Sequence, residues 1–242
     1  MDNVNYISQR VLYEDNHLLV INKMAGEIVQ GDRTGDKPLL EKVKDYIKVK
    51  YNKPGKVFLG LPHRLDQPVS GAVIFARTSK ALARLNTMIH DREITKIYWA
   101  VVKNRPPKDQ DTLVHYMSRN REKNKSYAFN QERKNTTRAE LQYQILAESD
   151  NYYLLEIKLI TGRHHQIRSQ LSVLDCPIKG DLKYGAPRPN PDASIHLHAR
   201  NVCFIHPVSG KVTDVFAPAP DEPLWQYFEN LFPLTTVGIL DE

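Results

Sequence analysis

Two strand-forming runs, Thr136 to Ala147 and Tyr152 to Ile160, are separated by only the four residues Glu148 to Asn151. A connection that short cannot return the chain over a sheet through a crossover helix, so the two runs are expected to be antiparallel neighbours. The second run sets Tyr153, Leu155, Ile157 and Leu159 on one face and Glu156 and Lys158 on the other, which is the period of a strand. The arrangement recurs at both ends of the chain. Val11 to Asn22 reads as two short strands around a turn at Glu14 to Asn16, and Ile195 to His206 with Lys211 to Ala217 reads as a hairpin around the PVSG turn.

Helical patterns fall between these pairs. Leu39, Val43 and Ile47 recur every four residues between Pro38 and Tyr51, as in an amphipathic helix started by proline. Ser79 is placed to cap a helix carrying Leu82, Leu85 and Ile89, His164 to Asp175 carries the stripe Ile167, Leu171 and Leu174, and Glu222 to Leu231 forms a last helix. Gly71 to Arg77 is an apolar run suited to a buried strand, and Ile94 to Val102 reads as another. Strands outnumber helices and come mostly in consecutive pairs, which points to an α+β fold with a mixed, largely antiparallel central sheet flanked by helices and loops. No repeat or low-complexity linker divides the chain, so residues 1–242 are expected to form a single domain.

Some function classes drop out. No stretch approaches the roughly 20 apolar residues of a membrane span, and the N-terminal MDNVNYISQR lacks the apolar segment of a secretory signal. A cytoplasmic protein is expected. Cys176 and Cys203 are too few for a disulfide framework and have no CxxC spacing or further thiols to complete a zinc site, so reduced thiols are expected. No metal and no cofactor are expected. The formal charge of +6 is unevenly distributed. Between Arg119 and Lys134, Arg119, Arg121, Lys123, Lys125, Arg133 and Lys134 stand against only Glu122 and Glu132. With Tyr127 and Phe129 in the same stretch, a loop or hairpin over 119–134 could lay cations on phosphates and rings on unstacked bases. An ordinary solvated loop is the plainer alternative.

The segment from His63 to Gly71, HRLDQPVSG, resembles the HRLDxxTSG signature of RluA-type pseudouridine synthases, whose aspartate is catalytic. Val69 stands where threonine is usual, which removes one hydroxyl near the site. Other segments match the family in order. YEDNHLLVINKMAG resembles its opening, with Met24 in place of proline, and KIYWA resembles its KxYxA segment, whose tyrosine maps onto Tyr98. TGRHHQIR resembles its TGRxHQIR segment, whose last arginine maps onto Arg168, and DCPIKGDLKYG and LHARNVCFIHP follow. The resemblance runs over roughly residues 11 to 220. It implies the pseudouridine synthase fold. Because it begins near the N-terminus, it also implies a catalytic domain without the S4 RNA-binding domain that many relatives carry. Substrate grip is then expected from the catalytic domain, including the 119–134 stretch.

The resemblance implies an enzyme, an isomerase that turns a specific uridine of ribosomal or transfer RNA into pseudouridine after flipping the base. Such a site needs an ionised carboxylate beside C1′ and C2′ of the ribose, as nucleophile or as base, and both routes stay open for Asp66. A dry pocket would protonate the carboxylate, and a guanidinium beside it reverses that tendency, the task the resemblance gives Arg168. By the same resemblance Tyr98 lies against the uracil, where its phenol could also help take the C5 proton, and Arg64 fills the space the base leaves in the RNA. Read without the family, Arg168 is as well explained as a surface helix arginine and Tyr98 as a core tyrosine. His63, Arg163, Gln166 and Leu197 complete the expected substrate contacts, Arg163 because Gly162 and Arg163 precede a helix whose free N–H groups favour a phosphate. Arg119, Arg121, Lys123, Lys125 and Lys134 are the expected RNA contacts. RNA is the expected partner, with no membrane and no protein partner, and the protein is expected to act as a monomer.

Two other classes compete. His164, His165, His196, His198 and His206 cluster in sequence and would suit a metal-dependent hydrolase or nuclease, but neither an HExxH pair nor a carboxylate cluster accompanies them. A non-catalytic RNA-binding protein of the same fold is the second. It would have no need of a desolvated carboxylate facing an anionic ligand.

Overall fold

The computed structural model describes residues 3–31 and 35–232, so the ends of the expected 1–242 unit lie outside the described residues. A short helix, α1 (Asn3–Ser8), precedes the first hairpin, β1 (Val11–Glu14) and β2 (Leu18–Lys23). The chain continues through α2 (Leu39–Lys50), β3 (Ser70–Ala76), α3 (Ser79–His90) and β4 (Thr95–Val102). Four strands follow in succession, β5 (Gln110–Asn120), β6 (Lys125–Phe129), β7 (Thr137–Glu148) and β8 (Tyr153–Leu159). After α4 (Gln166–Val173) and a 3-10 turn at Leu182–Tyr184 come β9 (Leu197–Ile205), β10 (Val212–Phe216) and α5 (Pro223–Leu231).

All ten strands join one sheet in the order β1-β2-β3-β9-β4-β8-β7-β5-β6, with β10 paired to β9. Every pairing is antiparallel except β3 with β9, which run parallel over Ser70–His198 and Gly71–Ala199. Gly71 makes that junction possible. Its φ is +113°, and a Cβ there would lie 2.4 Å from the carbonyl oxygen of Ala199. The glycine that ends the HRLD segment therefore lets two strands distant in sequence approach closely at mid-sheet.

Successive side chains on each strand supply opposite faces. One face buries Leu19, Ile21, Val73, Phe75, Tyr98, Ala100, Leu155 and Ile157 with residues of α2 and with Ile167 and Leu171 of α4. The other buries Val20, Ile74, Trp99 and Leu154 beneath Leu85 of α3 and Trp225 and Phe228 of α5. Leu65 and Val69, which flank Asp66, pack on the first face.

Most expected elements appear within a residue or two, with three corrections. The cap of α3 is Thr78, whose hydroxyl accepts from the Ala81 N–H, and Ser79 is already helical. The helix expected from His164 begins at Gln166, because His165 adopts a left-handed φ of 53°. The 119–134 stretch is not one tip: Arg119 to Lys125 surrounds the β5–β6 turn, while Lys134 lies in the next turn, beyond the far end of β6.

Candidate active site

Asp66 sits on the loop from Pro62 to Val69, and that loop is held from several sides. Lys23, at the end of β2 and fully buried, donates from Nζ to the carbonyls of Met24, Gln67 and Val69 at 3.0, 3.1 and 2.6 Å. Burial pushes its pKa down to about 7. The Gly26 N–H donates to the Gln67 carbonyl and the Ile195 N–H to that of Pro68. His63 closes the other end, its Nε2 accepting from the Ile74 N–H at 3.0 Å. Burial, then the nearby Lys96, lower its pKa to about 3, so it is a neutral acceptor.

The carboxylate faces a cleft of about 720 Å³ lined by His63, Arg64, Tyr98, Arg163, Arg168 and Leu197 together with Arg119. Arg168 projects from α4 and is 5% exposed. Its Nη1 donates to Asp66 Oδ2 at 3.0 Å, while Nε and Nη2 make a two-pronged pair with Asp181 at 2.7 and 2.8 Å. Asp181, 1% exposed, thus fixes the guanidinium plane and leaves one edge for Asp66. His165 Nε2 lies 3.3 Å from the same Oδ2. Asp66 Oδ1 takes no hydrogen bond from a described residue.

Tyr98 forms part of the cleft floor from β4 and is 8% exposed. Burial, then the charge of Asp66, raise its pKa above the ordinary value of 10. A phenol that holds its proton this firmly suits stacking better than proton acceptance. Arg64 is exposed at the cleft and makes no hydrogen bond or ion pair with a described residue. Leu197, at the start of β9, is buried in the floor.

Two expected roles are met differently. The Arg163 N–H is not free for a phosphate: it donates to Gln166 Oε1 at 2.9 Å, and the Arg163 side chain lies along the Arg138 carbonyl. Gln166 is 2% exposed and also bonds Thr161 and the Glu140 carbonyl, so its side chain braces the loop before α4. Of the basic residues, Arg119 lines the cleft, Arg121 and Lys123 are exposed in the hairpin turn, and Lys125 lies 5.0 Å from the Tyr184 ring centroid. Lys134 is exposed and is not among the cleft residues.

Sequence reasoning gave no role to Lys23, Lys96, Asp181 or Tyr184, and placed His165 only in the histidine cluster of the competing metal-site reading. Lys96 lines the cleft without an ion-pair partner among the described residues, and burial lowers its pKa. Asp181 and Tyr184 both lie in the quoted segment DCPIKGDLKYG, where an acid and a tyrosine in one motif were the available signal.

The histidines do not form a ligand set. His196 bonds Asn190 and Glu222, His198 bonds Ser70 and the Ala217 carbonyl, and His206 Nδ1 accepts from the Val208 and Ser209 N–H groups. Among the described residues, no group of three His, Cys, Asp or Glu side chains is arranged to hold a metal ion. Nor is any described helix long and apolar enough to cross a membrane.

The RNA pseudouridylate synthase family profile matches residues 17–173. An RNA pseudouridine synthase of Synechocystis, described as uncharacterized, is 31% identical over 92% of this chain and 70% of its own. The ribosomal large subunit pseudouridine synthase D of Zymomonas mobilis is 31% identical over 89% of this chain and 71% of its own. Among solved structures, human RNA pseudouridylate synthase domain containing 4 superposes with a TM-score of 0.77 at 23% identity, covering 94% of both chains.

Proposed function

The chain belongs to the RNA pseudouridylate synthase family, as an isomerase of RluA type acting on RNA, and from that premise we propose that Asp66 is its catalytic carboxylate. The supporting observation is the 3.0 Å pair between Asp66 and the buried Arg168, inside a cleft that also contains Tyr98. In the reaction the bond from uracil N1 to ribose C1′ breaks, a bond from C5 to C1′ forms, and the C5 proton ends on nitrogen. Nothing is oxidised or reduced. Asp66 serves either by attacking C1′ or by taking the C2′ proton, and both routes use an oxygen not already occupied by protein donors. That describes Oδ1.

Tyr98 supplies the ring against which the flipped uracil stacks, and Leu197 the apolar floor. Arg64, an exposed cation at the cleft mouth, enters the space the base leaves in the RNA. His63 shapes the loop while keeping a face to the substrate. Arg119, Arg121, Lys123 and Lys125 on the β5–β6 hairpin grip the backbone, with Lys134 a more distant contact and Arg163 contributing charge through its exposed side chain. Lys96 reaches a phosphate of the flipped nucleotide. A monomer is part of this reading, with Asp66, Arg168, Asp181 and Tyr98 supplied by the same chain. The unpaired thiols of Cys176 and Cys203 favour action in the reducing cytoplasm.

Ribosomal RNA is the favoured substrate over transfer RNA, because relatives such as the Zymomonas mobilis protein are named for the large ribosomal subunit. Incubating the protein with total RNA from a strain lacking it, then mapping new pseudouridines, tests this. One or a few new sites in large-subunit RNA are expected. New sites in transfer RNA alone would move the assignment there, and none in any RNA would overturn it.

A further inference from the structure

The imidazole beside Asp66 makes hydrogen bonds elsewhere that fix its tautomer. His165 is 8% exposed, and its Nδ1 lies 2.9 Å from the Tyr184 hydroxyl. That hydroxyl already accepts the Ser126 N–H at 2.8 Å. A phenol has a single proton, and the partner placed to receive it is His165 Nδ1. The ring proton of a neutral His165 then sits on Nε2, the nitrogen 3.3 Å from Asp66 Oδ2. The opposite tautomer would leave the phenol proton without this acceptor and turn a ring lone pair towards a carboxylate.

The imidazolium is disfavoured as well. Burial first, then Arg168 and His164, push the His165 pKa down to about 2. The 3.3 Å contact with Asp66 is therefore between the carboxylate and a neutral ring. The ring is also held mechanically: it stacks on His164 at 3.8 Å between centroids, and His164 is tied to Ser126 Oγ and Asn124 of the β5–β6 hairpin. His165 also adopts a left-handed backbone, φ 53°, at the turn that leads into α4.

We propose that His165 is a positioning residue for Asp66: Tyr184 holds it as the Nε2–H tautomer, so that it and Arg168 together clamp Oδ2 and present Oδ1 alone to the ribose. This rests on Asp66 being the reacting carboxylate. Tyr184 thereby acts at one remove from the chemistry, and Ser126 connects the basic hairpin to the carboxylate through a single buried hydroxyl.

The test pairs spectroscopy with kinetics on the full chain. In protein labelled with 15N-histidine, with His165→Gln used to assign the resonances, the His165 signals are expected to show a protonated Nε2 and an unprotonated Nδ1 from pH 6 to 8. Tyr184→Phe, which keeps the ring and removes the proton, is expected to shift that population towards Nδ1–H. The same variant should lower the single-turnover rate about ten- to a hundredfold, the loss expected for a hydrogen bond to a charged group, with RNA affinity unchanged. His165→Gln, which retains an N–H donor, should recover most of the rate that His165→Leu loses. A protonated Nδ1 in the unsubstituted protein, or a His165→Leu variant as fast as it, overturns the proposal. Absence of pseudouridine with every variant and with the unsubstituted protein would instead count against the isomerase reading on which this proposal rests, while the 15N signals would still confirm or overturn the Nε2–H tautomer.

Discussion

Arg168 stands between two carboxylates, and the consequences of removing it differ from those of removing either acid. Arg168→Met would leave Asp181, 1% exposed, as a buried charge without its guanidinium. A loss of roughly 3 to 5 kcal/mol is expected, on the order of 10 °C in Tm for a chain of this size. Asp66→Asn keeps the Arg168–Asp181 pair and changes a side chain that is 30% exposed, so its stability should stay within about 1 kcal/mol of the unsubstituted protein. Calorimetry of the two variants checks the contrast, and an Arg168→Met protein melting at the ordinary temperature would contradict it. At this scale the motifs were informative for Asp66, Tyr98 and Arg168, which the fold brings to one cleft. They contained Lys23 and His165 without giving either a role, because an ammonium held by three carbonyls, or a tautomer set by a phenol 19 residues away, depends on partners the local segment does not show.

Among the elements, the β3–β9 junction and the β5–β6 hairpin have the clearest consequences. Gly71→Ala would drive a Cβ into the Ala199 backbone and part the two strands beneath the Asp66 loop. Loss of soluble folded protein is expected, whereas Gly55→Ala, with nothing within 4 Å of the added carbon, should stay within about 0.5 kcal/mol. Equal behaviour of the two variants in thermal melts would refute the junction's role. On the hairpin, Arg121→Gln and Lys123→Gln should each reduce the slope of log affinity against log salt by about 0.7 to 0.9 if these cations neutralise phosphates. An unchanged slope would mean that the turn is merely solvated. The hairpins at both ends and the β7–β8 pair were readable because alternation and short connections leave few choices. β5 was not read as a strand. Its inward positions are Leu113, His115 and Met117, and His115 is accommodated through partners beyond the strand, among them Gln170 at 2.9 Å. α1 was missed because six residues with one buried apolar side chain, Ile7, give no periodicity.

The whole molecule carries an unusual load of buried neutral imidazoles. Burial lowers His63 to about 3, His165 to about 2, and His196 and His198 to about 4, from an ordinary value of 6.5. Below pH 6.5 the unfolded chain binds protons at these rings and the folded chain does not. The contribution of these rings is therefore complete above pH 6.5 and falls as the pH drops towards 4. Urea unfolding between pH 7 and pH 5 should show a decline steeper than the roughly 1.4 kcal/mol per unit of one such group, and a flat profile would contradict these burials. Of these rings, His165 lies with Arg168 against the Asp66 carboxylate, while His63 and Lys23 with its three carbonyls hold the loop that carries it. Turnover of Asp66→Asn on the RNA site mapped for the unsubstituted protein, measured beside its RNA affinity, bears on that arrangement most directly. Affinity within about threefold, a difference of less than about 1 kcal/mol, with no detectable pseudouridine, is the predicted result; substantial residual turnover would show that another group performs the chemistry.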